Sequence, residues 1–157
     1  QDFAIMFTAR IHPDIYFETL GEIAYRMIST EGTRLSDVRP DRYLLTNFSP
    51  AFAAAHAVLH PGLDGAWVSS GESTTIAGLL TSLGGAAYVI GEMAEDMVAT
   101  GQCKLVEDAP VIPQTVYAAM HLRNRHRPMH RRLLQLLRKQ FSGRDGRLKL
   151  QTPLDRA

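Results

Sequence analysis

Cysteine is nearly missing from this chain. Cys103 is the single one among 157 residues, so no internal disulfide can form, which favours a reducing compartment. Next to Lys104 at a strand edge, it reads as inert packing sooner than as a redox sensor. No apolar run approaches the roughly 18 residues that a membrane-spanning helix requires. The amino end lacks a basic segment followed by a long apolar stretch, so no signal peptide is visible. There is no Gly-rich phosphate loop, and HExxH, CxxC and GxSxG are all absent, which removes the commonest nucleotide, zinc and acyl-transfer signatures. An initiator Met is lacking too, and the chain opens directly on an apolar run, so a fragment of a longer protein is expected.

What is present suits an ordinary globular domain: 45% hydrophobic and 21% charged residues, with a length near the common size for one domain. The net charge of +1 conceals a division. Residues 1–120 carry 6 basic and 14 acidic side chains, whereas residues 121–157 carry 11 basic and 2 acidic. Such a split invites a nucleic-acid reading of the carboxyl-terminal part; the bland alternative is a solvated helix face followed by a loose tail.

Along the chain, Asp2–Phe7 has strand length and composition. Ile15–Leu20 and Ile23–Ser29 read as two extended pieces broken by Gly21, and Thr30–Asp41 as loop. Tyr43–Thr46 is a buried strand, followed by a helix with Ser49 as N-cap and Pro50 at the first helical position. Pro61-Gly62 ends that helix, and Ala66–Ser69 is a strand. Thr75, Ile76, Leu79, Leu80 and Leu83 line one helical stripe; Ala86–Ile90 is a strand and Glu92–Thr100 a helix closed by Gly101. Lys104–Val106 and Thr115–Met120 are strands separated by a loop holding Pro110 and Pro113. Pro128 opens a last helix whose apolar stripe is Met129, Leu133, Leu136, Leu137 and Phe141; residues 142–157 read as a loose tail. Strands alternating with helices predict an α/β sheet with largely parallel strands.

The chemistry-bearing residues are sparse. His121, His126 and His130 do not make a metal site, because Pro128 interrupts their spacing and five arginines among residues 123–132 repel a cation. Glu72, Glu92, Glu95 and Asp96 sit mostly at helix starts, where the dipole accounts for them. His56 either reaches a ligand at the sheet edge or is structural, and spacing does not separate the two. What remains is a set of short hydroxyl and amide side chains at strand ends: Thr8, Thr46, Asn47, Ser49, Ser69, Ser70 and Ser73. In open α/β folds ligands bind outside the carboxyl ends of strands, where helix N-termini offer free N–H donors. The same residues are also ordinary helix caps.

This order of pieces resembles the regulatory domain of LysR-type transcriptional regulators. Asp2-Phe3-Ala4-Ile5 resembles the family's "DLAI" strand, and the extended pair ending in Ala24–Ser29 resembles the crossing into the second subdomain. Ser69–Ile90, a strand, a helix, Gly85 and a strand, resembles the "aGlGiallP" region; Lys104–Val106 with Thr115–Met120 looks like the return strand and Arg131–Phe141 like the closing helix. Leu83 stands where the family often has its first Gly and Ile90 where it often has Pro, two departures that point to a divergent subgroup. No counterpart of the family's winged helix-turn-helix, linker helix and first βαβα is visible.

The resemblance implies an α/β fold of periplasmic-binding-protein-like Rossmann subdomains, with subdomain II complete and subdomain I partial. The expected division is 1–22 for part of subdomain I, 23–116 for subdomain II, 117–141 for the return to subdomain I and 142–157 for the tail. It further implies a non-enzymatic, cytoplasmic, effector-sensing module that binds a small polar or anionic ligand without cofactor or metal. Thr8, Thr46, Asn47, Ser69 and Ser70 are the expected effector-binding residues, Thr8 lying across a cleft from the others. A homodimer or higher oligomer is expected, with helix Thr75–Leu83 and strand Ala86–Ile90 in the contact. Sequence-specific DNA contact is expected only through the missing helix-turn-helix domain, and any DNA affinity of this chain from its basic residues beyond position 120. A solute-binding protein of similar fold is the alternative.

Overall fold

The computed structural model describes residues 3–64 and 68–141, apart from the side chains of Val68 and Ser69. Two compact units emerge, one from the described parts of residues 1–23 and 114–157 and the other from residues 24–113. No helix among the described residues is long and apolar enough to cross a membrane.

In the first unit, β1 (Phe3–Met6) pairs antiparallel with β7 (Ile112–His121), with Phe3 opposite Met120 and Met6 opposite Tyr117. The strand β2 (Ile15–Ser29) is 15 residues long and runs unbroken through Gly21 into the second unit. Gly21 is therefore no strand breaker. A Cβ there would overlap Phe141, the buried last residue of α4 (Pro128–Phe141), so the missing side chain lets the helix lie close against the strand. On α4 the buried positions are His130, Leu134 and Phe141, of which only Phe141 belongs to the expected stripe: Met129 is 75% and Leu136 48% exposed. His130 takes the apolar position by packing its ring 5.8 Å from that of Phe3. Glu18 of β2 fixes the helix's angle by accepting from Arg131 Nη1 at 2.7 Å and Arg138 Nη2 at 2.6 Å. Partial burial raises the Glu18 pKa, but the two guanidiniums outweigh it and the net shift is downward.

In the second unit the carboxyl half of β2 pairs antiparallel with β5 (Ala86–Ile90) and with the two-residue β6 (Lys104–Leu105). A separate parallel pair joins β3 (Leu44–Thr46) to β4 (Val68–Ser70). The expectation of largely parallel strands thus fails for β1, which pairs antiparallel with β7, and for β5 and β6, which pair antiparallel with β2. The alternation of helix and strand hid this, because β2 and β7 are long strands that serve both units and need no helical crossover between them. Helices α1 (Pro50–Leu59), α2 (Ser73–Leu83) and α3 (Gly91–Ala99) complete the unit. Its core gathers Ile28, Leu44, Ile76, Leu80, Ala87, Val89, Ala94, Met97 and Cys103. Burial pushes the Cys103 thiol up in pKa, so it packs as an inert apolar group. Of the two elements expected in a dimer contact, β5 is covered within the chain, with Ala87, Tyr88 and Val89 at 0% exposure, whereas α2 keeps Thr74, Thr75, Gly78, Thr81, Ser82 and Leu83 exposed.

The turn from α2 into β5 depends on glycine. Gly84 and Gly85 have φ of 76° and 121°. Gly85 lies against the carbonyl oxygen of Arg42, donates its N–H to Thr30 Oγ1 at 2.8 Å and accepts from the Thr30 N–H at 2.9 Å. A Cβ at Gly85 meets backbone, which cannot swing aside, and the positive φ adds strain. Gly85→Ala is expected to destabilise the chain by about 2–3 kcal/mol in urea denaturation; a loss below about 0.5 kcal/mol would show that the turn relaxes freely.

Candidate functional site

The parallel pair β3–β4 brings two strand ends together with two helix starts. Its register sets Leu45 opposite Ser69 and Thr46 opposite Ser70, and the Asn47 N–H extends the ladder to the Ser70 carbonyl at 2.8 Å. Four of the five expected residues, Thr46, Asn47, Ser69 and Ser70, therefore sit side by side at the carboxyl end of this pair. Thr8 belongs to the first unit, exposed in the irregular segment after β1.

The four are not equivalent. Thr46 is 2% exposed, and its Oγ1 has no hydrogen-bond partner among the described residues. An unpaired buried hydroxyl costs on the order of 1–3 kcal/mol. Asn47 is exposed; Ser70 is half-buried, and its Oγ accepts from the Glu72 N–H at 3.2 Å, which leaves its proton for another acceptor. Gly71 closes the corner, since a Cβ there would come within 3.0 Å of the Asn47 carbonyl.

Ser49 was expected to cap the first of the two helices that start here, and it does. Ser49 Oγ accepts from the Phe52 N–H at 3.0 Å, with Pro50 at the first helical position. The N-cap of α2 is Glu72, which makes no side-chain capping bond. Ser73 stands instead inside the first turn and turns inward, its Oγ accepting from the Ile90 N–H at 3.3 Å. The start of α2 thus keeps backbone N–H groups that no side chain caps, beside the carboxylate of Glu72.

Behind α1 lies a buried aromatic and histidine cluster that spacing alone did not resolve. His56 is buried, its Nε2 2.6 Å from the Tyr43 hydroxyl. Its neighbour one turn on, His60, sets Nε2 2.7 Å from the Tyr88 hydroxyl, which in turn donates to the Pro110 carbonyl at 2.8 Å. Because the tyrosine proton goes to the carbonyl, His60 must donate through Nε2. The two imidazoles are 5.3 Å apart, and Phe52 packs edge-on against Tyr88 at 5.6 Å and Tyr25 at 5.1 Å. His56 is therefore structural and holds α1 against β3. The signal for this was the i, i+4 pair His56/His60 on one helical face, matched by two tyrosines that begin or fill strands.

The fold defined by these elements is that of the regulatory domains of LysR-type transcriptional regulators. The regulatory domain of MetR, a LysR family regulator from N. meningitidis, superposes with a TM-score of 0.62 at 17% identity over 88% of this chain and 71% of that one. The regulatory domain of HypT from Salmonella typhimurium gives 0.67 at 16% identity over 88% of this chain and 73% of that one. Full-length LysG from Corynebacterium glutamicum with bound effector arginine gives 0.59 at 17% identity over 87% of this chain and 49% of that one. The chain thus spans about seven-tenths of the matched regulatory domains and half of the full-length regulator. No protein-family model matches the sequence, and no curated protein matches it.

Burial lowers the pKa of His56 to about 4, with the neighbouring His60 adding to the effect, and lowers that of His60 as well. A histidine with a depressed folded-state pKa contributes stability that is fully present above its unfolded value near 6.5 and is lost as pH falls toward 4. Unfolding free energy from urea titrations is expected to fall by about 2–3 kcal/mol between pH 7 and pH 4.5, and the slope should flatten in His56→Gln. An unchanged pH slope in that variant would remove His56 as its source.

Proposed function

We propose that this chain is the effector-sensing part of a LysR-type transcriptional regulator. In this reading the chain carries out no chemistry and works in the cytoplasm as part of a homodimer or higher oligomer. It takes a small polar or anionic ligand at the carboxyl end of β3–β4, and an attached helix-turn-helix domain supplies the sequence-specific DNA contact. The observation that carries the proposal is the buried hydroxyl of Thr46, which lacks a partner among the described residues at a strand end flanked by two helix starts. A protein that holds such a group unpaired gives up stability, and a bound acceptor restores the missing bond. The backbone N–H groups at the start of α2 suit a carboxylate or a comparable anion, while the nearby Glu72 side chain favours a ligand that also carries a donor or positive group. Asn47, Ser69 and Ser70 supply further short polar groups, and Thr8 stands in the proposal on the family resemblance. An amino acid has this combination of charges, and the LysG structure holds arginine as effector.

The decisive variant is Thr46→Val, which replaces the hydroxyl by a methyl of the same shape. Calorimetric titration with the twenty amino acids and a set of small mono- and dicarboxylates is expected to find a ligand whose affinity drops at least about tenfold in the variant. The melting temperature without ligand should hold or rise, because an unpaired buried hydroxyl has been removed. A lowered melting temperature with affinity unchanged would make Thr46 a purely structural residue and sink the proposed site.

A further inference from the structure

The two units carry opposite charge. Among described residues, the first unit has 8 Lys and Arg against 3 Asp and Glu, and the second 5 against 10. The excess in the first unit is concentrated in the segment that runs from the 3-10 turn Leu122–Asn124 into the start of α4, which holds Arg123, Arg125, His126, Arg127, Arg131 and Arg132 within ten residues. Glu18 takes Arg131 and, from further along the helix, Arg138. Arg123, Arg127 and Arg132 are exposed and have no carboxylate partner among the described residues; Arg125, half-buried, donates through Nη1 to the Leu122 carbonyl at 2.9 Å. Intramolecular pairing therefore neutralises part of the cluster and leaves four guanidiniums within ten residues without a carboxylate partner among the described residues, a strip along the sequence.

This arrangement works against the stability of the helix. Cations at the amino end of α4 oppose its dipole, and like charges this close repel one another. The first turn of α4 contains no acidic residue, and the one carboxylate that reaches the helix start, Glu18, is spent on Arg131 and Arg138. A strip that costs the isolated chain stability and is satisfied by closely spaced anions matches the phosphate backbone of a nucleic acid. Arginine suits it because the planar guanidinium binds a phosphate through two hydrogen bonds.

We propose that the strip Arg123, Arg125, Arg127 and Arg132 is a sequence-independent docking surface for the backbone of duplex DNA. The inference rests on the reading of the chain as part of a DNA-binding regulator, and it assigns this domain a contact of its own with the duplex. Four phosphate contacts predict a slope of log affinity against log salt of about −3.6, so affinity should fall about 150-fold between 50 and 200 mM salt. Duplexes of unrelated sequence should bind alike.

The test is fluorescence anisotropy of the full 157-residue chain with two labelled duplexes of different sequence across that salt range. In the triple variant Arg123→Gln, Arg127→Gln, Arg132→Gln the slope should shrink to about −1, and affinity at 50 mM salt should fall at least about 30-fold. The melting temperature should not decrease, because the substitutions relieve repulsion. A second variant, Arg144→Gln, Arg147→Gln, Lys149→Gln, neutralises basic residues near the carboxyl end and should keep most of the affinity. Absence of saturable binding at 50 mM salt, affinity unchanged in the first variant, or loss confined to the second would each overturn the proposal. So would self-association that vanishes in the first variant without any DNA binding, since the strip would then join copies of the chain. A chain that binds an amino acid through Thr46 but no DNA overturns this inference alone. One that binds DNA but no effector overturns the effector reading and leaves the strip in place.

Discussion

The hydrogen bonds of His56 on α1 and of His60 just past its end to Tyr43 and Tyr88 hold α1 against the strands of the second unit. His56 and His60 point from α1 to Tyr43 and Tyr88, and both pairs are buried. Each member satisfies a polar atom that would otherwise be stranded in an apolar interior, so the cluster stabilises only when complete. Tyr43 leads directly into β3, and Tyr88 is the middle of β5. Fixing α1 to both tyrosines thus fixes where the helix starts, and with it Ser49, Phe52 and the turn that follows Thr46. The polar strand end inherits its geometry from this cluster.

The same logic explains why the polar strand end is unevenly satisfied. Ser49 caps α1, and Ser70 takes the Glu72 N–H, so two of the short hydroxyls have local work. Ser73 is drawn away to the Ile90 N–H, which ties α2 to β5 but leaves the start of α2 without a side-chain cap. Thr46, one residue from the exposed Asn47, remains buried and unpaired among the described residues. Caps that serve only the fold would satisfy every donor and acceptor close by. Incomplete satisfaction at one strand end, beside complete satisfaction in the adjacent histidine cluster, is the contrast on which the functional reading rests.

Parts of this were legible in the residues and parts were not. Ser49-Pro50 announces a helix start because its chemistry is local, and Gly84-Gly85 announces a turn because no other residue tolerates the positive φ found there. Strand direction was not legible, since the alternation of elements says nothing about which long strand serves both units. Gly21 was misleading for a related reason: glycine marks either a break or a close approach, and only the position of Phe141 decides for the second. On α4 the apolar residues Met129 and Leu136 suggested a buried face, but they are exposed and His130 is buried instead, its ring packed on Phe3. The set Thr46, Asn47, Ser69 and Ser70 came from a rule about strand ends, but the unequal condition of its members depends on contacts between segments far apart in the chain.

Charge follows the division into units, and this constrains any account of what the chain does. Glu18 pairs with two arginines of α4 and offsets one of their two charges, and it is the only carboxylate in the described part of the first unit that pairs with them. Offsetting the remaining cations would have required further acidic residues at exposed positions, a change without packing consequences. Exposed surfaces tolerate such substitutions within about half a kcal/mol, so packing does not force this imbalance, and the helix dipole disfavours it. The fold pairs its buried histidines with tyrosines, yet among the described residues it leaves one buried hydroxyl without a partner in the second unit and several cations without a carboxylate in the first, and packing accounts for neither.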